Sequence, residues 1–232
     1  MPDSSASITI ENQTLSRSDM VALLAENQGA RAFEKCGFDG EDLSKLDLRA
    51  AQFRGCSFAE TSFERSNLAE TSWQGCKARQ ANFHLADLTD ASFYQCDLNN
   101  TAWMRAKLAS ASFKEVKLTG ASFTDAQTLG ITFQESLLVG ADLRGISFRK
   151  QSIAALNLSD ADLAGCDFRD AVFEGGSLRN ANLKQAQFDR ADLRSVDLSG
   201  LKLMDLGQYF KGSIISTDQA AAMVCGLGLL VR

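Results

Sequence analysis

The sequence predicts a mainly β solenoid, a chain wound into stacked four-sided coils, and three observations predict it. Between about Arg31 and Met204 every fifth residue is large and apolar apart from Ala78 and Thr128, running Phe33, Phe38, Leu43, Leu48, Phe53 and on to Leu193, Leu198 and Leu203. Two positions before most of these centres stands a small residue, such as Cys36, Ala51, Cys56, Ala81, Ala141 or Ala191. The one proline, Pro2, lies outside the repeat, as a residue that cannot donate to a ladder must. A period of five fits neither a helix, with its 3.6-residue period, nor a strand, with its period of two. A fixed internal period instead marks a solenoid. If each unit is a short extended segment, the centre and the small residue two before it point to the same side. The chain must then turn between units, and four turns close a coil of 20 residues.

Taken in order, residues 1–30 read as an N-terminal cap. Met1 to Ser7 hold neither a basic leader followed by an apolar run nor a membrane span, so a cytoplasmic location is expected. Ile8 and Ile10 alternate with polar neighbours and predict a first strand. Ser16 to Gln28 predicts a helix, with Ser16 and Asp19 as a capping box, Met20, Val21, Leu23 and Leu24 as its apolar face, and Gly29 as its end. Such a cap is needed because a stack of coils exposes an unpaired edge at each end.

Residues 31–205 form the body. Thirty-five centres from Phe33 to Leu203 make almost nine coils, a rod of roughly 40 Å at the usual inter-strand spacing. Each coil buries only four large and four small side chains, so stability must come from like residues stacking between neighbours. One side carries Phe33, Phe53, Trp73, Phe93, Phe113, Phe133, Ile153 and Phe173; the opposite side carries Leu43, Phe63, Phe83, Trp103, Phe123, Leu143 and Leu163. These aromatics are expected to be core, not a cofactor site. Gly120, Gly140, Gly145, Gly165 and Gly175 recur at the corner, where tight turns favour glycine.

Exceptions carry more information. Ala78 and Thr128 are small centres that leave room for a neighbour, whereas Ile131, Ile146, Gln151, Leu156 and Leu201 put a large or polar residue at the small inner position. The least regular stretch, Thr128 to Leu156, is expected to pack by compensation; as a functional patch it would present Thr128, Leu129, Lys150 and Gln151 to a partner.

Five of the six cysteines, Cys36, Cys56, Cys76, Cys96 and Cys166, occupy the small inner position, the first four in one column. A line of sulfurs cannot surround a tetrahedral zinc, and parallel side chains on adjacent coils hold Cβ atoms too far apart for a relaxed disulfide. Reduced thiols acting as small apolar fillers are expected, and no cofactor or metal. Catalysis is not expected either: the only histidine, His84, falls at an outward position with no acid or nucleophile fixed beside it, and Asp42, Asp87, Asp97, Asp142, Asp162 and Asp197, each just before a centre, suit hydrogen bonding to turn backbone. A formal charge of −5 provides no basic surface for nucleic acid.

Residues 206–232 break the pattern. Gly207 to Ile215 reads as a linker, with Tyr209, Phe210 and Ile214 available to cover the last coil. Ser216 and Gln219 form a capping-box signature for a helix over Thr217 to Cys225, ended by Gly226 and Gly228, and Leu229-Leu230-Val231 reads as a terminal strand. An uncharged apolar tail marks an interface; Met223, Leu227, Leu229, Leu230 and Val231 are the candidate contacts of a two-fold dimer.

Units such as Ala81-Asn82-Phe83-His84-Leu85, Ala86-Asp87-Leu88-Thr89-Asp90, Ala161-Asp162-Leu163-Ala164-Gly165 and Ala191-Asp192-Leu193-Arg194-Ser195 resemble the A(D/N)LXX units of the pentapeptide-repeat family. The resemblance implies a right-handed quadrilateral β-helix with short helical caps at both ends. Gln219-Ala220 followed by Leu227-Gly228-Leu229-Leu230-Val231 is similar to the C-terminal ending of the Qnr-type proteins, which dimerise there. That group and the similar MfpA-type proteins imply a partner, DNA gyrase or topoisomerase IV, which they bind as mimics of duplex DNA and protect from quinolones. The sequence departs from Gram-negative Qnr proteins in having no loop inserted in the register and a longer N-terminal helical segment; MfpA-type proteins lack such loops too. A 40 Å length of duplex would carry roughly 24 negative charges, so mimicry by a chain of net −5 would rest on shape and a local acidic stripe. The other expectation is a pentapeptide-repeat scaffold that binds a different protein.

Overall fold

The computed structural model describes residues 8–26, 31–201, 207–226 and 230. The chain divides into two compact units, Met1–Thr132 and Phe133–Arg232, and the boundary falls within the stretch whose repeat is least regular. Both units are parallel, four-sided β-solenoids.

In the first unit, β1 (Ile8–Glu11) is followed by α1 (Arg17–Glu26) and then by β2 (Arg31–Glu34), β3 (Gln52–Arg54), β4 (Ser72–Gln74), β5 (Ser92–Tyr94) and β6 (Ser112–Lys114). Each strand pairs in parallel with the next, placing Ile10 over Phe33, Phe33 over Phe53, Phe53 over Trp73, Trp73 over Phe93 and Phe93 over Phe113. The other three sides are single bridges with the same offset, such as Ser57 to Lys77, Ser62 to Asn82 and Asn67 to Asp87. β7 (Thr132–Gln134) lies at the unit boundary. In the second unit β8 (Ser152–Ala154) pairs with β9 (Val172–Glu174), the other sides again bridge at 20-residue offsets, and α2 (Thr217–Cys225) follows.

Eight strands, β2 to β9, recur with the coil period, so the described chain makes about eight turns, not the expected nine or so. The centre Leu203 lies outside the described residues, and the last described rung is built by residues that have left the five-residue register. Phe210 stacks on Phe188 at 4.5 Å and Ile214 bridges to Asp192.

Corners explain why the period is five. At many of them a backbone N–H returns to the carbonyl three residues earlier, as Ala51 to Leu48 (3.1 Å) and Ala161 to Leu158 (3.2 Å), and the residue before the donor takes a left-handed conformation. Twenty-three non-glycine residues of the repeat are left-handed among the described residues, including Ala50 (φ 57°), Leu85 (φ 58°) and Asp170 (φ 61°). None is β-branched, because a branched Cβ is costliest in that region. The corner glycines named from the sequence are left-handed as well, from Gly140 at 65° to Gly175 at 83°.

The interior of the first unit holds two long ring columns and, on a third side, a short stack of Phe38 on Phe58 at 4.7 Å. Phe93 lies on Phe113 at 4.8 Å and Phe83 on Trp103 at 4.1 Å, while the columns meet edge-on, Phe93 to Trp103 and Trp103 to Phe113 both at 5.6 Å. The small centre Ala78 follows Trp73, whose ring reaches Phe58, the residue stacked against position 78, at 4.9 Å; the vacated room is taken by an indole. The second unit has its rings on another side, Phe148 on Phe168 at 4.8 Å and Phe168 on Phe188 at 4.7 Å. Ile131, Ile146 and Leu156, large at the small position, are all buried.

Both indoles are sealed in this core, and each N–H must find an acceptor. Trp73 Nε1 donates to Thr71 Oγ1 (2.9 Å) and Trp103 Nε1 to Thr101 Oγ1 (2.8 Å), and each hydroxyl passes its own proton to a carbonyl, of Leu68 or Leu98 (both 2.7 Å). Threonine thus stands at the small position where the centre is tryptophan. Thr71→Val and Thr101→Val are each expected to lower unfolding free energy by about 1–3 kcal/mol, measured by denaturant unfolding; an unchanged midpoint would remove the role assigned to the hydroxyl.

The backbone of Leu156 restricts its successor in the stack. Gly176 (φ 91°) has no side chain there, and a Cβ would sit 2.3 Å from the Leu156 carbonyl oxygen. At corner Gly145 a Cβ meets nothing within 4 Å. Gly145→Ala is therefore expected to cost about 1–2 kcal/mol of left-handed strain, and Gly176→Ala clearly more, since the obstruction is backbone. Equal losses for the two in thermal unfolding would contradict this packing.

Candidate interaction surfaces

Alternation along each short strand sets the surface chemistry. The residues just before and just after a centre both point outward, so an Asp before and an Arg after stand side by side. Arg49 closes on Asp47 through Nε (2.9 Å) and Nη2 (2.7 Å), Arg144 on Asp142 (2.8 and 2.7 Å), Arg169 on Asp167 (2.9 and 2.8 Å) and Arg194 on Asp192 (2.9 and 2.6 Å). These two-pronged bonds hold the Asp47, Asp167 and Asp192 carboxyls below the usual carboxylate range. Aspartates before a centre also accept from turn backbone, as the sequence implies: Arg49 N to Asp47, Ser44 N to Asp42 (2.9 Å) and Ser199 N to Asp197 (2.9 Å).

Corner carboxylates are a separate population. Glu60, Glu70 and Asp90 are exposed, and none forms an ion pair among the described residues. Residues 1–132 carry 17 acidic and 13 basic side chains, residues 133–232 carry 12 and 11, so most of the net negative charge belongs to the first unit.

His84 is half-buried, with Nδ1 4.0 Å from Glu64 Oε1. Among the described residues no three His, Cys, Asp or Glu side chains converge to hold a metal ion, and no helix is long and apolar enough to cross a membrane. All six cysteines are free, five buried and Cys225 exposed. In the column, Cys56 and Cys76 donate to the carbonyls of Phe33 and Phe53, both at 3.3 Å. Burial pushes the Cys166 thiol up to about 12.

The irregular patch named from the sequence is split between the units. Thr128 is half-buried and Leu129 is 85% exposed, both in the first; Lys150, exposed, and Gln151, half-buried, belong to the second.

At the C-terminal end the helix forms where the sequence places it. Ser216 accepts from Gln219 N (3.1 Å) and Gln219 Oε1 accepts from Ser216 N (2.6 Å), which is the capping box. Sequence reasoning missed the second duty of Gln219: its Nε2 donates to the carbonyls of Leu193 (2.8 Å) and Val196 (2.7 Å), pinning α2 on the last coil. It also missed the Phe148–Phe168–Phe188 column, legible as rings spaced by 20, which Phe210 caps; of the three covering residues expected, Phe210 is buried, Tyr209 half-buried and Ile214 mostly exposed. Between the last coil and α2 lies a cleft of about 710 Å³ lined by Val196, Leu198, Leu201, Ala222 and Met223, with Asp197 and Asp218 among its other walls. Of the dimer contacts named from the sequence, Met223 lines this cleft and Leu230 is 87% exposed; Leu227, Leu229 and Val231 lie outside the described residues, as do Gly29 and Gly228.

Comparison with known proteins now bears on this geometry. A family model described as a pentapeptide repeat region matches residues 31–103, and one described as pentapeptide repeats (8 copies) matches 86–125, 130–170 and 177–205. Two solved structures of trypsin-treated variants of QnrB1, a plasmid-mediated fluoroquinolone resistance protein, match with TM-scores of 0.64 and 0.63 at 20% and 19% identity, each covering 97% of this chain and 98% of the other. No curated protein matches by sequence.

Exposure separates the thiols. Cys225 alone is expected to react within seconds with a disulfide reagent in the folded protein, the other five only on unfolding. Two or more fast thiols in the native state would contradict the buried column.

Proposed function

Because the chain belongs to the pentapeptide-repeat family, with its right-handed quadrilateral β-helix, we propose that it is a non-catalytic binding protein whose partner is DNA gyrase or topoisomerase IV, which it shields from quinolones. The observation that carries this reading is the likeness to QnrB1 over nearly the whole of both chains. Family members of this kind act through their surfaces, and here the surface available to a DNA-binding groove is the acidic first unit, with Glu60, Glu70 and Asp90 exposed and in no ion pair among the described residues. The proposed assembly is a two-fold dimer through the C-terminal segment. In its favour, α2 has nine residues and no buried side chain, and a helix that short is marginal without packing.

One observation favours a second reading, a scaffold for a different protein. Asp47, Asp142, Asp167 and Asp192 are occupied by their own arginines and cannot stand in for phosphates. A supercoiling assay decides: with purified gyrase and a fluoroquinolone at its half-inhibitory concentration, added protein is expected to restore supercoiling, and Glu70→Lys with Asp90→Lys to weaken that effect at least several-fold. No binding and no protection at micromolar protein would leave the scaffold reading.

A further inference from the structure

The four thiols of the first unit are held alike. The Sγ atoms of Cys36, Cys56 and Cys76 each stand 3.5 Å from the carbonyl two residues before, of Glu34, Arg54 and Gln74, and 3.3 Å from a carbonyl of the preceding rung, of Ile10, Phe33 and Phe53. Cys96 meets the corresponding pair, Tyr94 and Trp73, at 3.3 and 3.5 Å. The rungs beneath them pair in parallel with one constant offset, as Ser57 to Lys77 and Lys77 to Asp97, so equal holds set the sulfurs in a line at the rung spacing of about 4.8 Å. All four are sealed in an apolar interior, at 1–2% exposure.

A line of sulfurs excludes a tetrahedral ion but has the form a two-coordinate ion needs. Two metal–thiolate bonds of about 2.3 Å set end to end span about 4.6 Å, close to one rung. Thiolates select soft cations, and burial selects among these by charge. Between two thiolates Cu(I) or Ag(I) leaves a net negative charge, which is costly in an apolar interior, whereas Hg(II) leaves the group neutral. We propose that adjacent thiols of this column form a linear site for a thiophilic divalent cation, Hg(II), with Cys36 and Cys56 holding one ion and Cys76 and Cys96 a second. For each ion two S–H bonds break, two S–Hg bonds form and two protons pass to water. Each sulfur serves once, so the gap between Cys56 and Cys76 takes no ion when the other two are filled. Cys166 provides the contrast: it is buried in a column of its own between Ile146 and Ala186, with no sulfur on either neighbouring rung.

The test uses the reduced full chain with Cys225→Ser, which removes the exposed thiol, incubated with Hg(II) and then gel-filtered in free cysteine to strip any ion held by one sulfur. Uptake is expected over hours, because buried sulfurs are reached only through local opening, and paired sulfurs are expected to keep their ion through the wash by their high effective concentration. Metal analysis is expected to find two ions per chain, and X-ray absorption two sulfur neighbours per ion at about 2.3 Å, with far-UV circular dichroism unchanged. Two double variants test adjacency. Cys36→Ala with Cys56→Ala keeps the neighbours Cys76 and Cys96 and is expected to retain one ion; Cys56→Ala with Cys96→Ala also keeps two column thiols, two rungs apart, and is expected to retain none. Alanine occupies the same small position elsewhere in the repeat, as at Ala51 and Ala91, so both are expected to fold. Equal retention by the two variants, a third sulfur on the ion, loss of the β signal on loading, or no uptake by the folded chain would each overturn the linear site.

Discussion

Every side of this solenoid depends on a left-handed residue at the corner. A non-glycine side chain there is strained by about 1–3 kcal/mol, and such strain persists only where its surroundings leave no alternative. Hydrogen bonds supply that constraint: the bond to the adjacent rung and, at many corners, the return to the carbonyl three residues back, as when Ala50 N reaches Ala69 O (2.9 Å) while Ala51 N reaches Leu48 O. The corner sets the five-residue count, the count sets which side chains face inward, and stacking then makes identical positions into columns. Selection at the corner is against Val, Ile and Thr more than it is for glycine, which is why Lys, Glu, Arg and Gln all serve.

Because the interior is a stack, volume is balanced between neighbours in the column and the coil, not residue by residue. Ala78 is small because Trp73 is large and turns toward Phe58; Gly176 is bare because the backbone of Leu156 crowds it from the rung before. Polarity is balanced the same way, with Thr71 and Thr101 placed two residues ahead of the indoles they satisfy. A substitution judged by its own burial would be misread at each of these positions.

This explains what the sequence makes legible. The period, the corner glycines and both capping boxes, Ser16 with Asp19 (Ser16 N to Asp19 Oδ2, 2.8 Å) and Ser216 with Gln219, are local or strictly periodic, and a one-dimensional string carries them. α1 is observed at Arg17–Glu26, within the Ser16–Gln28 span expected, with Met20 buried and Val21 outside. What a string does not carry is the 23- and 26-residue reach of Gln219 to Val196 and Leu193, or the change of register that sets Phe210 on Phe188. The candidate cleft was half-legible for a related reason. Val196, Leu198 and Leu201 occupy core positions of the repeat, but a core position is covered only if another rung follows, and here the following rung changes.

The same alternation decides where charge can carry information. On a flat side, a carboxylate before a centre has a neighbour two residues on that points the same way, and where that neighbour is arginine the charge is answered at once. A corner carboxylate has no such neighbour, since the chain turns beneath it; its answer must come from an adjacent rung, as Asp170 receives Arg190 at 2.7 Å. Glu60, Glu70 and Asp90 receive no ion-pair partner among the described residues. A protein partner that needs carboxylates in place of phosphates therefore has to contact corners of the first unit and not flats of the second, where Asp142, Asp167 and Asp192 are each answered by an arginine. Electrostatic recognition by this fold is set by which corners go unanswered, and net charge is a poor measure of it.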